Sequence, residues 1–129
     1  MPNWCENTVR VHGDVEEVKE FIDFVKSEES DFDFEKIKPF PNGKWDYDWC
    51  VEHWGTKWNV NPTEIVTDHD GMGDVAEYFF DTAWSPPEGI YEELVKKFKI
   101  GTEESSLSIS WFYHEPNMEF CGYLQNDYE

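Results

Sequence analysis

Apolar and polar residues change rhythm several times along the 129-residue chain, and each rhythm predicts an element. Residues 8–12 (Thr-Val-Arg-Val-His) alternate with β-branched side chains until Gly13 ends the run, which predicts a first strand. Val15, Val18, Ile22 and Val25 follow at helical spacing, with Phe21 and Phe24 widening the stripe. Asp14 stands where an N-cap belongs and Glu17 completes a capping box, so a helix is predicted over about 14–27. Residues 63–69 and 75–83 read as two strands of a hairpin, joined by Asp70-Gly71-Met72-Gly73. Ser85 is the expected N-cap of a second helix, with Pro86 at its first position and Glu88 completing the box. Ile90, Leu94 and Phe98 form its stripe, Tyr91 and Val95 widen it, and Gly101 lies beyond its end. Residues 106–114 place Leu107, Ile109, Trp111 and Tyr113 on one side and Ser108, Ser110, Phe112 and His114 on the other. Pro116-Asn117 then turns the chain into a last strand over 118–124, with Met118, Phe120 and Leu124 in step.

Between the first helix and the hairpin, at about 28–62, neither period holds. An acidic Phe-rich piece (SDFDFEKIKPFPN) gives way to a Trp-rich one (KWDYDWCVEHWGTKWN). Trp45, Trp49 and His53 recur every fourth residue and Gly55 suits a left-handed position after a helix, so a short helix ending at Gly55 is predicted. Connections of this length usually form a lid or a packed loop. The order is β-α-(insertion)-β-β-α-β with an extra C-terminal strand: one ferredoxin-like α+β domain over 1–129, an antiparallel sheet with two helices on one face. Aromatic residues such as Tyr78, Phe80 and Phe112 are expected on the other face, shielded by the Trp-rich insertion or by a second subunit.

Composition sharpens this picture. Seven Trp, six Tyr and ten Phe supply large buried areas and argue against disorder, which acidic chains poor in aromatics adopt. Twenty-nine Asp and Glu against ten Lys and Arg give a formal charge of -19, spread almost evenly over the three thirds of the chain. The charge therefore belongs to the folded surface; it disfavours nucleic acid and anionic membranes and favours a basic partner protein. No membrane-spanning run and no signal-peptide pattern are present, so a soluble, cytoplasmic protein is expected. Cys5, Cys50 and Cys121 are an odd number of widely spaced cysteines, expected as free thiols.

Four strings stand out: NWCENTVRVHG at 3–13, WGTKWN at 54–59, FDTAWSPP at 80–87 and YHEPNMEFCGY at 113–123. In register over nearly the whole chain, they resemble the YubB-like ferredoxin-like domain family of small proteins from bacteriophages, plasmids and their bacterial hosts. The resemblance implies a ferredoxin-type topology without an iron–sulfur cluster, and no reaction or catalytic residue.

Each string has a structural explanation. Asn3 and Asn7 can bond local backbone, Trp54 and Trp58 can flank a chain reversal at Gly55, and Trp84-Ser85-Pro86-Pro87 forms a strand-to-helix junction. In the functional reading, Trp54, Trp58 and Trp84 line a pocket whose indoles stack on a flat or cationic ligand while Lys57 holds an anionic group. Lys57 can equally pair with Asp81 or lay its stem along a tryptophan face.

Cys50-x-x-His53 is the one close Cys/His pair, with Cys5, Cys121, His12, His69 and His114 scattered; structural zinc takes two such pairs, so no metal is expected. Residues 68–73 lack the spaced donors of an EF-hand loop and read as a hairpin turn. Asp46/Asp48 and Glu103/Glu104 are neighbours by chance in so acidic a chain. No nucleophile elbow, P-loop, dinucleotide fingerprint or His-Glu-x-x-His occurs, so no catalytic residue and no cofactor is assigned. RNA-recognition domains share this element order, but LSISWFYHE at 107–115 carries no Lys or Arg and the surface is acidic. These residues point to a non-enzymatic acidic accessory protein that binds a basic partner, one version being a DNA mimic that occupies the phosphate-binding groove of a host protein. The alternative is a small-molecule binder or enzyme using the Trp-lined region around Lys57. A homodimer is the alternative to a monomer, and a charge of -19 per subunit opposes it.

Overall fold

A computed structural model describes residues 3–60, 66–67 and 74–124. Alternation of buried Cys5, Asn7, Val9 and Val11 with outward Trp4, Glu6, Thr8, Arg10 and His12 carries β1 over Trp4–His12, earlier than the predicted start, because Trp4-Cys5-Glu6-Asn7 continues the same two-residue period. There follow α1 (Val15–Val25), α2 (Phe34–Ile37), α3 (Tyr47–His53), β2 (Val66–Thr67), β3 (Val75–Ala83), α4 (Glu88–Phe98), β4 (Ser108–Glu115) and β5 (Phe120–Tyr123). The strands form one antiparallel sheet in the order β2-β3-β1-β4-β5, the ferredoxin-like order with β5 added at one edge. β1 lies in the middle, paired with β3 on one side and β4 on the other. Of the predicted hairpin, the turn at 70–73, His69 and most of the strand 63–69 lie outside the described residues; Val66 and Thr67 pair with Glu77 and Ala76.

Register decides what each sheet face carries. Val9 and Val11 stand opposite Tyr78 and Ala76 on one side and Trp111 and Ile109 on the other, and this face is covered by helices. Val18, Phe21 and Val25 of α1 and Ile90, Leu94 and Val95 of α4 close the core over it. Tyr78 and Phe80 therefore lie inside, contrary to the expectation that they populate the open face; Phe79 and Phe112 take that place. The alternation between Tyr78-Phe79-Phe80 offers no polar residue to mark the phase, so only the pairing with β1 sets it.

The described part of the insertion leaves the open face largely uncovered, with Phe79 50% exposed. It joins the helical layer, where Phe32 lies 4.9 Å from both Tyr78 and Phe80 and 5.9 Å from Trp111, and Phe34 packs edge-on against Trp54 at 5.5 Å. The physical reason is space: two eleven-residue helices leave one end of a nine-residue-strand sheet uncovered, and the buried aromatics of the insertion fill it. The predicted short helix is α3, with Asp46 capping the Trp49 backbone N–H, Trp54 at its C-cap and Gly55 at a φ of +88°.

Both predicted capping boxes are replaced by longer-range bonds. Asp14 makes no side-chain cap, and the Glu17 carboxylate accepts from the Ser106 backbone N–H at 2.8 Å and the Ser105 hydroxyl at 3.1 Å. These bonds hold the Glu17 carboxyl below its ordinary value and tie α1 to the chain entering β4. Ser85 does not cap α4, which starts later, at Glu88; its hydroxyl donates instead to the Gly55 carbonyl at 2.7 Å. Among the described residues no helix is long and apolar enough to cross a membrane.

Candidate functional site

The four strings converge on one pole of the sheet. β1 runs antiparallel to β3 and β4, so its first residues lie beside the last residues of both: Cys5 opposite Thr82, Asn7 opposite Phe80 and Tyr113. β5 starts at the same pole, with Phe120 opposite Glu115 and Cys121 opposite His114. The segment after α3 docks there too, the Thr56 hydroxyl donating to the Ala83 carbonyl at 3.0 Å.

Inside the pole the chemistry is structural. The Asn7 amide donates to the Cys5 carbonyl at 3.1 Å and to the Thr82 hydroxyl at 3.0 Å, and its oxygen accepts from the Trp111 indole N–H at 3.0 Å. Burial pushes the Cys5 thiol from 9.0 up to about 11. Trp54-Gly55-Thr56 and the start of α4 approach without room for a side chain between them. The Gly89 N–H donates to the Trp54 carbonyl at 3.0 Å, and a Cβ on Gly89 would stand 1.8 Å from the His53 carbonyl oxygen.

Of the three tryptophans proposed from sequence as a pocket lining, Trp54 turns into the core while Trp58 and Trp84 stay exposed. Trp54 is fully buried, its indole N–H donating to the Lys38 carbonyl at 2.9 Å and its ring stacked on Phe40 at 5.1 Å. Lys57 and Trp58 come together: the ammonium stands 4.2 Å from the Trp58 ring centre, a cation–π contact, and Trp58 in turn lies 6.2 Å from Trp4. Trp45 closes over the backbone of this loop, its indole N–H donating to the Lys57 carbonyl at 2.8 Å. Trp84 sits at the bend after β3, where the Ser85 N–H bonds the Ala83 carbonyl and Trp84 takes a φ of +71°, a strained γ-turn that points the chain toward α4. Cys50 is buried in the core, while the His53 ring packs tilted on Trp49 at 4.8 Å.

Sequence reasoning missed the open face as a site. Phe79, Thr8, Phe112 and Tyr123 stand in one row across four strands, and Phe79 and Tyr123 are 50% and 63% exposed. Phe112 and Tyr123 contact each other at 5.3 Å. The neighbouring row is Asp81, Glu6, His114 and Cys121. His114 Nδ1 lies 3.6 Å from Glu6 Oε1, while partial burial, and then the facing Glu6 charge, raises the Asp81 carboxyl above its ordinary value. Where the two rows cross β1 and β3 lies an open groove of about 300 Å³ lined by Glu6, Asn7, Thr8, Phe79, Phe80 and Asp81. A second groove, of about 480 Å³, crosses the helical layer among Glu20, Asp23, Phe24, Lys36, Lys97 and Phe98. Among the described residues no three Cys, His, Asp or Glu side chains are grouped to hold a metal ion. The open face offers flat aromatic surfaces beside carboxylates, a chemistry suited to cations.

A family model described as the ferredoxin-like domain in Api92-like protein matches residues 44–128, from the loop before α3 to beyond β5. The chain belongs to this family. The Api92-like match includes three of the four strings and leaves β1, which carries the fourth, and α1 outside its span. Comparison with curated proteins and with solved structures gives no match. Membership in the Api92-like ferredoxin-like family agrees with the β-α-β-β-α-β core and its sheet order, and it assigns no activity.

Proposed function

We propose that this protein is a non-enzymatic accessory protein that binds a basic protein partner through its acidic exterior. The observation that carries the reading is the charge: 29 carboxylates against 10 lysines and arginines, distributed along the whole chain. Glu6 and Asp81 face each other across β1 and β3, and like charges directly opposite on a sheet are unfavourable unless a cation relieves them. The likeness of the strings to YubB-like proteins of phages and plasmids supports an origin in mobile elements. One concrete form is DNA mimicry, in which the carboxylates of a rigid body occupy the phosphate-binding groove of a host nuclease or regulator.

Affinity capture with the tagged chain at low ionic strength, from cells that naturally contain it, tests this reading. A basic nucleic-acid-binding protein that elutes as salt is raised is the expected result, because opposite charges outside contact are screened over about 10 Å at 0.1 M. Recovery of no basic protein, or binding insensitive to salt, contradicts it. The alternative of a small-molecule site around Lys57 rests on Trp58 and Trp84, since Trp54 faces the core. A thermal-shift screen separates the two, as a pocket ligand raises the melting temperature by mass action and Lys57→Ala or Trp58→Ala abolishes that rise.

A further inference from the structure

We propose that the open face of the sheet is the partner-binding surface and that it takes arginine side chains, with guanidinium planes stacked on Phe79, Phe112 and Tyr123 and paired with Glu6 and Asp81. This deepens the basic-partner reading above and rests on it. The aromatic row crosses three strand spacings, about 14 Å, room for two or three side chains of an approaching segment. The carboxylate row lies two residues away on β1 and β3, about 7 Å, within reach of a guanidinium lying over Phe79. Phe79 of the aromatic row and Glu6 and Asp81 of the other line the same groove, so a single cationic head over Phe79 can touch ring and carboxylate at once.

Arginine fits better than lysine. Its guanidinium is planar, stacks on aromatic faces and presents a fork of donors to carboxylates, whereas an ammonium is a strongly hydrated point charge. A second copy of this chain fits worse, because apposing two such faces brings Glu6 and Asp81 toward their own copies and doubles a charge of -19. Single-stranded nucleic acid would find stacking surfaces, but beside carboxylates where its phosphates need cations.

Calorimetric titration of an oligoarginine peptide, and of the oligolysine of equal length, into the full chain tests the proposal. Phe79→Leu keeps apolar bulk and removes the ring; Glu6→Gln with Asp81→Asn removes the carboxylates; Glu92→Gln with Glu103→Gln removes equal charge from exposed positions on α4 and the turn after it. The wild type should bind oligoarginine more tightly than oligolysine, Phe79→Leu should weaken oligoarginine about fivefold and narrow that preference, and the Glu6/Asp81 pair should weaken it more than the Glu92/Glu103 pair. Salt-sensitive binding that ignores Phe79 and treats both acidic pairs alike overturns this surface while leaving the basic-partner reading standing. Absence of any peptide binding at low ionic strength overturns both. Self-association lost in Phe79→Leu, or oligonucleotide binding lost in the same variant, overturns the choice of arginine.

Discussion

Asn7→Ala should be among the costliest changes of a polar residue in this protein. Asn7 is buried at the pole where the four strings meet, and it makes three bonds of ordinary length and a longer one to the Phe80 carbonyl at 3.4 Å. Truncation removes all of them, but the consequences differ. The Thr82 hydroxyl keeps its bond to the Ser85 carbonyl at 2.6 Å. The Trp111 indole N–H, in the middle of the core, is left without its acceptor. An orphaned buried donor costs about 1–3 kcal/mol, and the small cavity adds about 1 kcal/mol. The sum is about 2–4 kcal/mol, a fall in Tm of roughly 10 °C for a domain of this size. Urea unfolding followed by far-UV circular dichroism measures it in the wild type, Asn7→Ala, Trp111→Phe and the double variant. Trp111→Phe deletes the indole N–H, so Asn7→Ala should cost about 1–2 kcal/mol less in that background. Equal costs in the two backgrounds would refute the argument that this bond anchors the pole.

Other parts of the fold make predictions of differing sign. Tyr78→Phe should leave stability unchanged or raise it by up to about 1 kcal/mol in the same urea assay, because the Tyr78 hydroxyl is buried without a hydrogen-bond partner among the described residues. Gly89→Ala should destabilise by about 2 kcal/mol or more, since the new Cβ collides with the His53 carbonyl and must push α4 off the Trp54-Gly55-Thr56 segment. The folded state raises the Cys5 pKa from 9.0 to about 11 and so holds that proton more tightly than the unfolded chain. Stability should therefore fall as pH climbs from about 9 toward 11, and Cys5→Ala should flatten the decline in a series of thermal melts. A thiol reagent should label Cys121, the exposed cysteine, at once, and Cys5 and Cys50 only on unfolding, as mass spectrometry of the labelled chain will read.

Periodicity was a good guide wherever one face of an element is apolar and the other polar. The stripe of α1, the stripe of α4 and the alternation of β4 all carry that contrast, and their order gives the ferredoxin-like sheet. It failed where residues on both faces share a character: Tyr78-Phe79-Phe80 hides its phase, and pairing with Val9, Thr8 and Asn7 supplies it. Capping patterns misled for a related reason. Glu17 and Ser85 have the right identities for local caps, yet Ser106 and Gly55, distant in sequence, offer them partners that also fasten separate elements together. The Trp-rich strings were legible as important but not as to role. Trp54 and Gly55 serve packing between α3 and α4, whereas the surface row of Phe79, Phe112 and Tyr123 is assembled from three strands and left no contiguous trace.

On the proposed reading, an acidic body with an aromatic sheet face meets a basic partner there. Backbone amide chemical shifts recorded while oligoarginine is added to the full chain test it most directly. Saturable changes that weaken with salt and centre on Glu6, Thr8, Phe79, Asp81, Phe112 and Tyr123 are the predicted result. Changes spread over the outer faces of α1 and α4, or none at low ionic strength, would contradict it.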